Sequence, residues 1–301
     1  MSFDTFKQIF DKMPGNLTQI AFGIGDIDAN PDLFKMFAYC RAMGVVPNLT
    51  INGARMTEKY YNILSELCGA VAVSRYNRDI CYDAVQQLVK RGMKQVNIHM
   101  LVSEETYGEC FAVMKEFKQD PRLKGMYAIV FLLMKPKGDR NVLRPLTSTK
   151  KYKQIVDYGI KNEIPIGFDS CSAPKFLQSV RKHEKYKQYT MLAESCESSL
   201  FSSYINIDGR YWHCSFVEDV PGWKGVDVLG CRDFLNDVWY AEETKRFRNG
   251  LIYQEHLEIS KDCRFCPVYD LNIEKGDDYE TKCTCDQKEE EEEGDCSCKK
   301  D

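Results

Sequence analysis

Short apolar segments alternate with amphipathic segments through the first two-thirds of this chain, at intervals of about 25 residues. The apolar segments have the length of strands, and the amphipathic ones carry apolar residues at helical spacing. Alternation of this kind is typical of right-handed βαβ units around a parallel sheet. The sequence therefore predicts an α/β fold whose sheet is either open or curled into a barrel.

The predicted elements follow one another without a long gap. Thr57 is a plausible N-cap for one helix, and Ser103 with two following glutamates marks the start of another. Strands are predicted at residues 17–22, 45–51, 70–74, 95–102, 126–134 and 165–168. Helices are predicted at residues 4–13, 32–43, 57–68, 79–91, 103–118 and 150–161.

Loops at the carboxyl ends of the strands are where chemistry is expected in such folds. In this chain those loops carry glycine, serine, arginine and acidic residues, which suits the binding of a polar small molecule. They lie at residues 23–26, 52–53, 74–78, 102–103 and 135–138.

Composition excludes several classes of function. The formal net charge is −4, and part of it comes from the run Glu289 to Glu293, so nothing favours binding to nucleic acid. The N-terminus lacks the basic start and apolar run of a signal peptide. No apolar stretch approaches the ~20 residues that span a bilayer. We therefore expect a cytoplasmic protein with no membrane partner.

Fourteen cysteines in a chain without a secretion signal are expected to be thiols and metal ligands rather than disulfides. Four of them lie singly within helix-like segments and are expected in the core, because free cysteine is among the most buried residue types. They are Cys40, Cys68, Cys81 and Cys110.

A second module is predicted where the alternation stops, with domain boundaries at residues 1–181, 182–275 and 276–301. It contains a hairpin at residues 203–216 that turns at Asp208-Gly209. The last segment is acidic and is predicted to be disordered, with Cys283, Cys285, Cys296 and Cys298 in it.

Four cysteines of the module have an ordered spacing, which predicts a tetrahedral sulfur site. They come from separated segments, Cys196 and Cys214 on either side of Gly209, and the pair Cys263 and Cys266. Four thiolates suit zinc and an iron–sulfur cluster equally well, so spacing alone leaves both open. A zinc ribbon that only stabilises the module is the simplest alternative.

The residues around these cysteines resemble the auxiliary-cluster domains, called SPASM and twitch, of radical S-adenosylmethionine enzymes. The resemblance lies in the segment 196–216 and in the helix-like segment 238–248 before the last pair. A full SPASM domain has a further cysteine where this chain has Asn272, so the likeness is closer to the shorter twitch form. The resemblance implies one [4Fe–4S] cluster on Cys196, Cys214, Cys263 and Cys266.

The strand ends resemble the same superfamily, whose core is a partial (β/α)6 TIM-like barrel. Its Gly-Gly-Glu-Pro motif, which contacts the amino group of the cofactor, corresponds to residues 24–27, and its Thr-Asn-Gly to residues 51–53. Its Val-Ser ending corresponds to residues 73–74, and the fifth strand to residues 96–102. The resemblance implies S-adenosylmethionine contacts by Gly25, Asp26, Asn52, Ser74, Arg75 and His99.

One defining motif of that superfamily is absent from this sequence. No three cysteines have the spacing Cys-x-x-x-Cys-x-x-Cys, and the strand that precedes this loop is also missing, so we expect a partial barrel lacking its first strand. A truncated chain, a split enzyme completed by a second chain and a catalytically inactive relative all fit. On its own the chain is expected not to perform radical chemistry.

Two functions remain in view at this point. The first is a radical S-adenosylmethionine enzyme, or a subunit of one, whose substrate by loose analogy is a peptide or protein. The second is an inactive metal-binding scaffold, with iron–sulfur or zinc, that binds a partner through an exposed sheet edge.

Other residues are weaker candidates. His99 is either a substrate contact or a core histidine, and His213 is an alternative metal ligand. Asp169 and Cys171 either line the site or form a polar strand terminus. The loop 135–140 is either an anion contact or a solvated face. A second metal centre on the tail cysteines is a further alternative.

Overall fold

The computed structural model describes residues 1–138, 141–194, 196–252 and 266–268. Its larger sheet has six parallel strands in sequential order. They are β1 Gln19–Phe22, β2 Val46–Ile51, β3 Val71–Ser74, β4 Val96–Val102, β5 Ala128–Leu133 and β6 Ile166–Phe168. Cys263 and the predicted tail with its cysteines lie outside the described residues.

Four of the helices around these strands begin at a side chain that caps a free N–H group. Ser2, Thr57, Asn77 and Ser148 each accept a hydrogen bond from a backbone N–H three residues on. The helices are α1 Phe3–Phe10, α2 Leu33–Ala42, α3 Glu58–Leu67, α4 Arg78–Lys90, α5 Tyr107–Gln119, α6 Thr149–Lys161, α7 Ala173–Val180, α8 Tyr186–Leu192 and α9 Glu242–Ile252.

The parallel sheet is covered by helices on one face. Right-handed crossovers between strands in sequential order place every connecting helix on the same side. The burial of β4 alternates accordingly, because Ile98 and Met100 are buried in the core with the helices whereas Asn97 and His99 on the other face are half-buried. The predicted α/β fold with a parallel sheet is confirmed, as an open six-stranded arc.

Two features of this arc differ from the sequence prediction. The helix predicted from Ser103 begins at Tyr107, because Ser103 and Thr106 exchange hydrogen bonds between side chain and backbone and fold the segment into a turn. Two helices that were not predicted, α7 and α8, follow β6. The four cysteines predicted to lie in the core are all buried there.

The predicted hairpin is confirmed and forms part of a small antiparallel sheet. Its strands are β7 Tyr204–Ile205 and β8 Arg210–Trp212, and a third strand that was not predicted, β9 Val226–Asp227, pairs with β8. Gly209 occupies the turn with a φ of +77°, and a Cβ there would lie 2.9 Å from Leu229. Only glycine suits this position.

The small sheet packs against the first helix of the chain. Ile9 of α1 lies in one apolar cluster with Tyr211, Val228 and Phe234. Near the end of the same helix, the Lys12 ammonium donates to the carbonyls of residues 229 and 231, each at 2.6 Å.

A second contact joins this module to the loop after β5. The Lys137 ammonium donates to the carbonyl of Ser215 at 3.0 Å and to that of Glu218 at 2.8 Å. Lys135 lies over the ring of Phe216, 4.9 Å from its centroid. The turn that follows Cys214 is therefore held at the carboxyl end of the sheet.

No helix in the described ranges is both long enough and apolar enough to cross a membrane.

We expect Gly53→Ala to lower the free energy of unfolding by about 2 kcal/mol, because a left-handed residue with a Cβ costs about 1–2 kcal/mol and this Cβ also meets α4. Gly53 has a φ of +78°, and its Cβ would lie 3.1 Å from the carbonyl oxygen of Ile80. Gly92→Ala is the matched control, since Gly92 has a φ of +84° and an added Cβ there has no neighbour within 4 Å. Urea unfolding measures both, and equal losses would contradict a steric contribution from α4.

Candidate functional site

A row of side chains crosses the face of the sheet that its helices leave uncovered, from the end of β3 through the middle of β4, β5 and β6. Register pairs Ser74 with His99, His99 with Val130, and Val130 with Gly167. The residues around His99 in this row are small or aliphatic. We call this row of half-buried residues, with one imidazole among them, the trough.

Asp26 and Asn52 form the polar pair at one side of this trough. The Asn52 amide donates from Nδ2 to Asp26 Oδ1 at 2.8 Å, and its Oδ1 accepts from the Ala54 N–H at 2.9 Å. Because the amide is held from both ends, it fixes the orientation of the Asp26 carboxylate. Gly25, the neighbouring predicted site residue, is exposed and brings no side chain to this place.

Arg55 reaches the same carboxylate and was missed by the sequence analysis. Its Nε lies 3.5 Å from Asp26 Oδ2, and its Nη1 lies 3.6 Å from Asp28 Oδ1. Its backbone has a φ of +56°, in the left-handed region that costs a residue with a Cβ about 1–2 kcal/mol. The only sequence signal for it was its place just after the Asn-Gly turn.

Arg75, another predicted cofactor contact, has partners on two helices, and its contact with a cofactor stays a prediction. Its side chain is 7% exposed, and Nη1 donates to Glu109 of α5 at 2.6 Å. Its Nε donates to the Tyr82 hydroxyl of α4 at 3.3 Å. Since its guanidinium is bound by these two helices, we leave Arg75 out of the proposed site.

His99 is held largely in its neutral form. Burial lowers its pKa, and the negative charge of Asp169 opposes that shift without cancelling it. A neutral imidazole has one donor and one acceptor nitrogen for a ligand in the trough.

A buried ion pair lies where β5 and β6 end. Lys135, whose side chain is 5% exposed, pairs with Asp169, and Asp169 also accepts from the Ser172 hydroxyl. Burial lowers the pKa of Lys135, but Asp169 and the Cys171 sulfur outweigh that effect and raise it overall. The loop predicted as an anion contact or a solvated face thus has internal partners for its first two lysines.

Three of the four predicted cysteine ligands lie in the described residues, and they are neighbours. Cys196 and Cys214 pack with Val268 against the apolar cluster of Trp212, Val217, Phe247 and Leu251. Burial raises the pKa of Cys214, and the sulfurs of Cys266 and Cys196 raise it further. The Phe216 N–H donates to Cys214 Sγ at 3.2 Å.

In the described residues these sulfurs are not arranged as a metal site. Across the described ranges, no three His, Cys, Asp or Glu side chains are arranged to hold a metal ion. The fourth predicted ligand, Cys263, lies outside those ranges. Cys171 is a further neighbour of Cys196 and Cys266. Burial raises its pKa to about 12, and these two sulfurs contribute to a smaller extent.

His213, the alternative ligand, is buried in a ring stack. Its imidazole lies parallel to Phe247 at 4.8 Å, and neither nitrogen has a hydrogen-bond partner in the described structure. Burial lowers its pKa to about 4. A ligand role for His213 stays a prediction.

A cavity of about 210 Å³ lies beside β6, the last strand of the sheet. Its wall is mainly apolar, with Asp169 and Glu194 as its two carboxylates. It is lined by Ile160, Ile166, Gly167, Phe168, Asp169, Ala173, Phe176, Tyr189, Leu192, Ala193 and Glu194.

Comparison with known proteins gives structural neighbours only. No family model matches this chain, and no curated protein matches it. Streptococcus suis SuiB bound to S-adenosylmethionine superposes with a TM-score of 0.64 at 12% identity, covering 88% of this chain and 66% of SuiB. SuiB bound to its precursor peptide SuiA gives 0.61 at 11% identity, covering 81% and 59%.

A second solved structure also superposes on this chain. His-tagged anSMEcpe with bound S-adenosylmethionine superposes with a TM-score of 0.56 at 16% identity, covering 82% of this chain and 74% of that one. The folds agree. This chain spans less than two-thirds of the length of SuiB, and the identities are low, so the likeness establishes the fold.

We expect acid to destabilise the protein partly through His99. Its pKa in the folded state is below the ordinary 6.5, so the unfolded chain binds more protons as the pH falls through 6.5, and stability falls with it. His99→Gln removes this contribution. The difference in Tm between pH 7.5 and pH 5.5 should therefore be smaller for the variant, and an unchanged difference would contradict a neutral His99.

Proposed function

We propose that this chain is a protein of the radical S-adenosylmethionine type, which binds S-adenosylmethionine in the trough and carries one auxiliary [4Fe–4S] cluster. The observation that carries this proposal is the Asp26–Asn52 pair at the carboxyl end of the sheet. It lies at the strand ends whose sequence resembles that superfamily. The two neighbours with the same fold bind S-adenosylmethionine.

Asp26 is the proposed acceptor for the ammonium group of S-adenosylmethionine. A carboxylate that binds an ammonium makes charge-assisted hydrogen bonds, and Asn52 holds this one in a fixed orientation. Gly25 leaves room for close approach of a ligand to the backbone. Ser74 and His99 offer neutral hydrogen-bonding groups along the trough.

The module offers residues that fit a thiolate centre. Cys196 and Cys214 pack against an apolar cluster, Cys266 lies near both of them, and a backbone N–H donates to the Cys214 sulfur. We propose Cys263 as the fourth ligand. When bound, a [4Fe–4S] cluster supplies one-electron chemistry at this place.

The residues of this chain do not fit the cluster that reduces S-adenosylmethionine in that superfamily. No cysteine triplet has the spacing that this cluster requires. The proposed role of this chain in the reaction is therefore to bind and position S-adenosylmethionine. A second chain, or a longer form of this one, would supply the remaining ligands. The same absence favours a second candidate function, an inactive metal-binding scaffold.

A peptide or protein is the proposed substrate class. SuiB has been solved with its precursor peptide, and anSMEcpe with S-adenosylmethionine and a peptide called Cp18Cys. In this chain, the turn after Cys214 is bonded to the loop after β5. The cysteine site and the trough would therefore face the same substrate.

Anaerobic reconstitution should load about four iron atoms per chain in one cluster. Cys196→Ala and Cys214→Ala should each lose most of this iron, because each removes one of four ligands. Cys68→Ala is the matched control, since Cys68 is buried in the core of the barrel and should leave the iron content unchanged. Iron and sulfide analysis with absorption spectra measures the outcome. A colourless protein with one zinc per chain would overturn the iron–sulfur centre.

Isothermal titration should detect binding of S-adenosylmethionine, weakened about 10-fold or more by Asp26→Asn, because a hydrogen bond to a charged group contributes about 1.5–3 kcal/mol. Asp28→Asn is the control and should stay within about twofold, since Asp28 is the neighbouring carboxylate that Asn52 does not contact. Reduction with dithionite should yield no 5′-deoxyadenosine. Absence of binding to the unaltered protein would overturn the proposed function, and formation of that product would contradict the limited role.

A further inference from the structure

Two chain segments that carry candidate cysteine ligands meet at one buried serine, together with a helix that contacts the third segment. Ser199 follows Cys196 by three residues and is fully buried. Its backbone adopts a left-handed φ of +59°, and its N–H donates to the carbonyl of Ser202 at 2.9 Å. This tight turn aims its hydroxyl away from solvent and into the module.

The hydroxyl of Ser199 joins the Cys196 segment to the strand that leads to Cys214. It lies 2.6 Å from the Tyr211 hydroxyl, and it donates to the carbonyl of His213 at 3.3 Å. Tyr211 is in β8 and is fully buried. A fixed hydroxyl pair therefore sets the distance between the two cysteine segments.

The carbonyl of Ser199 joins the same point to α9. Arg248 donates from Nε to this carbonyl, and its guanidinium stacks over the Trp239 ring at 4.5 Å. Two residues further along α9, Gly250 has no side chain, and a Cβ there would lie 2.9 Å from Pro267. The helix thus contacts the residue that follows Cys266.

This polar connection has no evident purpose in packing. Buried hydroxyl and guanidinium groups cost free energy unless all are paired, and a phenylalanine would fill the space of Tyr211 as well. One guanidinium nitrogen of Arg248 has no hydrogen-bond partner within the described residues. Such an arrangement is expected where the backbone of the cysteine segments has to be held in one position.

We propose that Ser199, Tyr211 and Arg248 are positioning residues that hold the segments of Cys196, Cys214 and Cys266 in place for a shared metal. The inference rests on the metal centre of the proposed function. Thiolates from separated segments bind a metal more tightly when the protein orders them beforehand, and loss of such supporting contacts typically costs about 10–100-fold in affinity.

The test is titration of the reduced, metal-free protein with Co²⁺. Sulfur-to-cobalt charge-transfer absorption measures the binding. Tyr211→Phe and Ser199→Gly should each bind Co²⁺ about 10-fold or more weakly. Glycine tolerates the left-handed backbone, so Ser199→Gly removes the hydroxyl without straining the turn. The double variant should bind Co²⁺ no more weakly than the single variant with the lower affinity, because each substitution breaks the same hydroxyl pair.

Tyr204→Phe is the matched control. Tyr204 is in β7 of the same hairpin, and its hydroxyl donates to Glu218 at 3.0 Å rather than to Ser199. Its Co²⁺ affinity should stay within about twofold of the unaltered protein. Melting of the metal-free proteins, followed by circular dichroism, checks that each variant is folded before titration.

The outcomes separate the two proposals. One outcome is that the unaltered protein binds Co²⁺ and that Tyr211→Phe and Ser199→Gly have the same affinity and absorption as it does. This outcome would overturn the positioning role and leave the proposed metal centre standing. Absence of sulfur-to-cobalt absorption from the unaltered protein would overturn both. Weakened binding in these two variants, but not in Tyr204→Phe, is the expected result.

Discussion

The uncovered face of the parallel sheet is the constraint on which the rest of this structure depends. Six strands in sequential order leave all of their helices on one side, so only half of each strand is buried by them. The other half carries polar groups such as Asn97, His99 and Ser74 beside aliphatic ones such as Leu101 and Leu132. The geometry that completes the core on one side thus provides the trough on the other.

The second module is held at two separate places on this sheet. Lys12 bonds it to the first helix, and Lys137 bonds it to the loop after β5. In both cases a lysine donates to two backbone carbonyls. The cysteine site therefore has a fixed position relative to the trough, even though the two regions are far apart in sequence.

Much of the parallel sheet was predictable from sequence, because strands and the caps of the helices between them depend on local patterns. The strand predicted at residues 95–102 is Val96–Val102, and Thr57 caps its helix as expected. Asp26 and Asn52 were predicted as site residues from motifs at neighbouring strand ends, and they bond each other. Cys263 stays a prediction.

Other residues depend on distant partners and could not be predicted in this way. Arg75, just after the end of β3, turns to Glu109, which lies on α5, three elements later. Lys135 was expected in an open loop, but Asp169 draws it into the interior. Ser199 carried no signal at all, since its role depends on Tyr211 and Arg248. Burial and charge pairing across the fold decide such cases.

The contact between α1 and the small sheet also bears on how the chain folds during synthesis. Ile9 is made more than two hundred positions before its partners Tyr211 and Phe234. At about 5–20 residues per second, α1 would wait ten seconds or more with an apolar stripe exposed. The apolar stripe of α1 therefore presents a surface for chaperones until these partners have been made.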